Sequence, residues 1–112
     1  MPEGEPSFEE IERAETKRHI VETMREKGLE DETVRRAIQD WAKGEERRCP
    51  ADAWEKSQID IDLAQADMMA KAGFVAEAIE FLETTLMNAE QQSDGTLIRK
   101  IEAKITELKA RS

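Results

Sequence analysis

Ala66-Asp67-Met68-Met69-Ala70-Lys71-Ala72-Gly73-Phe74-Val75-Ala76-Glu77-Ala78-Ile79-Glu80-Phe81-Leu82-Glu83 is the stretch whose reading decides the fold. Small and apolar residues run up to Gly73, the residue type that closes a helix in the left-handed conformation. They resume at Val75, with Ala78, Ile79, Leu82, Leu86 and Ala89 on one helical face and Phe74 and Phe81 beside it. This is a helix, a glycine turn and a second helix that runs to about Gln91. Upstream, Pro50 suits the first turn of a helix reaching about Ala72. On that helix Trp54, Ile61, Met68 and Met69 lie on one side, and Ile59, Leu63, Ala66 and Ala70 lie nearly opposite. A helix apolar on two sides is sandwiched between neighbours, so this one is expected to be central.

Outward from there, the chain keeps the same grammar. Residues 1–6 read as a tail, and residues 7–112 as a single helical domain. Ser7 and Glu10 form a capping box for a first helix that runs to about Lys27 and stops at Gly28. Its inner stripe is Ile11, Ala14, Val21 and Met24, with Arg18 where the next apolar residue belongs, which predicts a partly exposed edge helix. Asp31 can cap a second helix, with Val34, Ala37, Ile38, Trp41 and Ala42 on one face. That helix is expected to end near Lys43, at Gly44, leaving Glu45 to Arg48 as a charged connector. After Ser93-Asp94-Gly95 comes a fifth helix, about Thr96 to Ala110. Its Ile98, Ile101, Ile105 and Leu108 make a seam that fits either a capping helix or pairing with a second copy. The expected fold class is all-α: two helix-turn-helix hairpins plus a C-terminal capping helix.

Composition excludes other classes. The chain is 38% charged and 38% hydrophobic, with 5 Gly, 3 Pro and no Tyr, too apolar for disorder and too poor in strand-forming runs for a β protein. Its net charge of -9 repels phosphate backbones and anionic membranes, so neither nucleic acid nor membrane is an expected partner. The basic pairs Arg35-Arg36 and Arg47-Arg48 are embedded among acids. One cysteine, Cys49, precludes an internal disulfide and fits a reducing compartment, so a cytoplasmic location is expected.

Gly28 laid over Gly73, an offset of 45, brings Met24 onto Met69, Leu29 onto Phe74, Glu32 onto Glu77, Val34 onto Ile79 and Trp41 onto Leu86. The second copy, from Ala66 to Leu86, resembles the tetratricopeptide repeat: Ala66, Gly73, Ala78, Phe81 and Leu82 fall on that family's small, glycine, small, aromatic and large positions. The resemblance is partial and implies a protein–protein interaction module, adaptor or chaperone-like, binding a peptide or helix of a partner. The family presents the first helix of each hairpin to its partner, so the resemblance places Asp60, Leu63, Asp67 and Lys71 on the binding surface. Asp60 and Asp67, two turns apart, would favour a basic or amphipathic partner. The alternative function is a structural unit that forms a homodimer through Ile98, Ile101, Ile105 and Leu108.

Catalytic and metal motifs are missing from the sequence. His19 is the only histidine and has no cysteine at metal spacing. Asp60-x-Asp62 lacks the glycine and distal glutamate of a calcium loop. No Gly-rich phosphate loop or nucleophile elbow occurs, and Glu77, Glu80 and Glu83 read as a solvated face. Met24, Met68, Met69 and Met87 read as core filler. Trp41, Trp54 and the methionines are the candidate pocket walls of a third reading, a small helical enzyme or ligand-binding bundle. The expectation is a protein without catalysis or cofactor.

Overall fold

The computed structural model describes residues 8–92 and 95–111. The tail, Ser7 of the capping box and Ser93-Asp94 lie outside them. The described residues form five α-helices and a short 3-10 turn: α1 (Phe8–Lys27), α2 (Glu32–Arg47), the turn (Ala51–Ala53), α3 (Trp54–Lys71), α4 (Val75–Gln92) and α5 (Gly95–Arg111). The all-α class is as read from the sequence.

Local chemistry sets most of the boundaries. Gly28 and Gly73 adopt positive φ, 90° and 101°, which a side chain resists. Asp31 caps α2, its Oδ1 accepting from the backbone N–H groups of Thr33 at 2.8 Å and Val34 at 3.4 Å. Two boundaries depart from expectation. The turn Ala51–Ala53 follows Pro50, so α3 begins at Trp54 rather than at Pro50. Gly44 does not end α2, which continues to Arg47 and makes the supposed connector its last turn. The reason is Glu45, which extends the Val34, Ile38, Trp41 stripe by one more step and is itself buried. A glycine inside a helix costs about 1 kcal/mol, which such an anchor can offset.

α3 packs against all four other helices, α1 and α2 on one hand and α4 and α5 on the other. α1 pairs with α2, and α4 with α5. The core contains Ile20 and Met24 of α1, Val34 and Trp41 of α2, Ile59, Ala66 and Met68 of α3, Ala78, Leu82 and Ala89 of α4, and Leu97, Ile101, Ile105 and Leu108 of α5. The C-terminal seam is therefore used within the chain. Ile101 and Leu108 are fully buried and Ile105 nearly so, with Ile98 half-buried. That corrects the reading of Ile98, Ile101, Ile105 and Leu108 as a face open to a second copy: the apolar area a dimer would need is already removed from water. Met87 and Trp54 are also corrected, for they stand 64% and 47% exposed.

α1, α3 and α5 run in the same direction. Arg13 borders the depression that Ser57 borders near the start of α3, and Arg25 Nη2 donates to the Lys71 carbonyl at the end of α3, 2.8 Å away. On the other side Lys100 meets Asp60 and Lys104 meets Asp67. The fold thus sets three parallel helices side by side, with α3 between α1 and α5.

Candidate functional site

The outward face of α3 carries Ser57, Asp60, Ala64, Asp67 and Lys71 at 3-4-3-4 spacing, one side of a helix. It is the floor of a surface groove between α1 and α5, and Ala64 is its centre. Three depressions share that alanine. One of about 510 Å³ lies between α1 and α3, with Ala14, Arg18, Val21 and Arg25 on the α1 wall and Met68 and Lys71 below. One of about 370 Å³ lies between α3 and α5, where Leu63 and Asp67 face Lys100, Ala103 and Lys104. The third, about 360 Å³, reaches toward α2 and is bordered by Asp60, Ile61, Trp41 and Cys49.

Asp60, Leu63, Asp67 and Lys71, the four residues singled out from the sequence, all border this groove. The charges of the two aspartates are already engaged. Asp60 Oδ1 is 2.6 Å from Lys100 Nζ. Asp67 sits 2.9 Å from Lys104 and 3.3 Å from Lys71. Burial by itself would raise the Asp67 carboxyl, but the hydrogen bonds and charges of Lys104 and Lys71 together outweigh it and hold Asp67 below its ordinary value. Burial would likewise lower Lys104, and its bonds to Asp67 and Glu107 turn the balance upward. The carboxylates on which a basic partner was expected to rest are neutralised from within the chain.

The remaining charge in the groove is positive. The α1–α3 depression is bordered by Lys17, Arg18, Arg25 and Lys71 against the single carboxylate Asp67. Among the described residues neither Lys17 nor Arg18 makes an ion pair. The sequence held a signal for this wall. Ala14, Arg18, Val21 and Arg25 form a 4-3-4 stripe in which alternate members are basic. It borders the groove, whereas α1 buries a different line, Ile20 and Met24. Ile11, read as part of the inner stripe, is 43% exposed.

A second feature escaped the sequence. Glu45 accepts from Arg13 through both oxygens, Nε to Oε1 at 3.3 Å and Nη2 to Oε2 at 2.5 Å. Arg48 adds a contact to the same carboxylate at 3.7 Å and reaches Glu9 at 2.8 Å. This clasp ties the first half of α1 to the end of α2. It also engages Arg48, as Glu32 engages Arg36. Cys49 is half-buried and its thiol donates to the Glu45 carbonyl.

Other residues considered for chemistry stand apart. Asp60 and Asp62 diverge, Asp62 reaching Thr85 of α4 at 3.2 Å. His19 is exposed and borders the α1–α2 depression. Glu77, Glu80 and Glu83 are exposed on α4. Trp41 borders the groove, whereas Trp54 is half in solvent. Among the described residues no group of three His, Cys, Asp or Glu is placed to hold a metal ion, and no helix is long and apolar enough to cross a membrane. No protein-family model, curated protein or solved structure matches this chain.

Proposed function

We propose that this protein is a non-catalytic protein–protein interaction module, adaptor or chaperone-like, and that the groove floored by α3 takes a peptide or helix of a partner. The observation that carries the reading is the uncovered face of α3 between α1 and α5, where depressions meet at Ala64. Small and apolar side chains, Ala14, Val21 and Ala64 with Met68 beneath, give it a floor that side chains of a partner can cover, and charged residues rim it. The tetratricopeptide resemblance points the same way. Ala66, Ala78 and Leu82 are fully buried and Gly73 makes the left-handed turn, the packing roles that the pattern gives them. In that family too the first helix of each hairpin meets the ligand.

The test is selection of a random 12-residue peptide display library on the wild type and on Ala64→Trp, a substitution that fills the meeting point of the depressions. Wild-type protein should enrich peptides that the folded variant no longer retains. Enrichment of nothing, or equal retention by both, would remove the groove as a binding site.

A further inference from the structure

We propose that the groove takes an acidic, amphipathic segment of a partner, one in which carboxylates flank an apolar side chain. This rests on the binding-module reading above and reverses the charge expected of the partner from the sequence.

The argument is one of charge complementarity. In a chain of net charge -9, the α1–α3 depression collects Lys17, Arg18, Arg25 and Lys71. Its one carboxylate, Asp67, is shared between Lys71 and Lys104. Arg18 and Arg25 make no ion pair among the described residues, and Arg25 donates one N–H to the Lys71 carbonyl. Arg18 and Arg25 are seven residues apart on one helix, about 10 Å along its axis. Between them on the same wall lies Val21, with Ala64 and Met68 below. A segment that satisfies this wall places an apolar side chain over Val21 and carboxylates about 10 Å apart on either side. That is about two turns of a helix or about three residues of extended chain. Guanidinium groups suit carboxylates because their N–H fork matches both oxygens.

The same charges argue against a basic segment, which would have to displace Lys100 from Asp60 and Lys104 from Asp67 before finding a partner. Long polyanions such as nucleic acid are disfavoured because they meet the -9 field of the rest of the surface.

The test uses the full chain and two fluorescein-labelled 12-residue alanine-based helical peptides, each with a central leucine, one with glutamates three residues before and four after it, about two turns apart, and one with lysines there. Fluorescence anisotropy should show the glutamate peptide binding the wild type and the lysine peptide not. Arg18→Glu/Arg25→Glu should weaken the glutamate peptide about 30-fold, since two reversals each exchange a modest attraction for a repulsion of similar size. Arg18→Glu alone, which touches no ion pair, should weaken it about 5-fold and keeps the test decisive should the double variant lose its fold. Binding of the lysine peptide, or glutamate-peptide binding unchanged in folded Arg18→Glu, overturns the inference. Polyglutamate bound equally by wild type and variant would also overturn it, because the attraction would then be diffuse. If neither peptide binds while library peptides are still lost in Ala64→Trp, the charge inference falls and the binding module stands. If no library peptide is enriched either, both fall.

Discussion

Removing the Glu45 carboxylate should loosen α1 more than its exposed neighbours suggest. α1 has only Ile20 and Met24 as buried anchors, and both lie in its second half. The first three turns, where Ile11 and Ala14 are exposed, are held largely by the clasp of Arg13 onto Glu45 and of Arg48 onto Glu9. Glu45→Ala leaves behind the Arg13 guanidinium, whose side chain keeps 39% of its surface, whereas Arg13→Ala strands a carboxylate whose side chain keeps 10%. Breaking a fully buried pair costs about 3–5 kcal/mol. With one end open to water and salt, that figure discounts to about 2 kcal/mol. At a slope near 1.3 kcal/mol per M urea, Glu45→Ala should lower the unfolding midpoint by about 1.5 M.

Arg13→Ala should cost about as much, because it leaves the Glu45 carboxylate with only the more distant Arg48. The double variant should cost little more than either single one, a coupling energy of about 1–2 kcal/mol in a double-mutant cycle. Hydrogen exchange should show the loss of protection concentrated in residues 8–17. Additive single effects, each under about 0.5 kcal/mol, would mean that the clasp is an ordinary solvated contact and that other forces hold the N-terminal half of α1.

Two further outcomes separate similar residues by their surroundings. Asp67 is held below its ordinary 3.8, so it stabilises the fold above that value and the contribution is lost as pH falls through its lowered value. Asp62 is pushed up by burial, outweighing its bond to Thr85, so its contribution is full below 3.8 and is lost as pH rises through the raised value. Asp67→Asn should thus cost about 1 kcal/mol at pH 7 and nothing at strongly acid pH, whereas Asp62→Asn should be neutral or stabilising at pH 7. Thermal melts from pH 7 to 3 check both, and curves that shift in parallel would refute the assignment. Gly44→Ala should raise the melting temperature by about 2–4 °C, because a Cβ there meets nothing within 4 Å and the position is helical. Gly73→Ala, at φ 101°, should lower it by a similar amount, and equal signs for the two glycines would refute the α2 boundary.

The two glycines also show what the sequence could and could not tell. Both are followed by charged or bulky residues, and a glycine after an apolar stripe reads as a stop. What distinguishes Gly44 is a side chain one residue on that finds an arginine 32 positions earlier in the chain. No local pattern carries that information. The helices themselves were legible because their apolar periodicity is local, as was the central place of α3, which follows from its having two apolar sides. The C-terminal seam was legible as a seam and silent about its partner, since Ile101, Ile105 and Leu108 suit α4 of the same chain as well as another copy. Spacing within α3 puts Asp60 and Asp67 on one helical face, and both border the groove. Their pairing with Lys100 and Lys104 depends on how α5 crosses α3, which spacing within α3 does not encode.

That crossing matters most for function, because it decides the sign of the groove. Composition suggests an acidic protein that attracts bases, and α1 by itself has more acids than bases. The fold sorts them. Glu12 and Glu15 border the α1–α2 depression, while Lys17, Arg18 and Arg25 border the groove. α5 then spends Lys100 and Lys104 on Asp60 and Asp67 of α3, leaving Arg18 and Arg25 of α1 without an ion pair among the described residues. At physiological salt, fields fade over about 8 Å, so the global -9 and the local excess of cations act on different objects. A nucleic acid or a membrane spans many such lengths and meets mostly repulsion. A short segment seated between α1 and α3 lies within reach of the arginines and is shielded by distance and salt from much of the rest. A surface of this kind discriminates by size as well as by sign, which is why a short acidic segment fits it better than a polymer of the same charge.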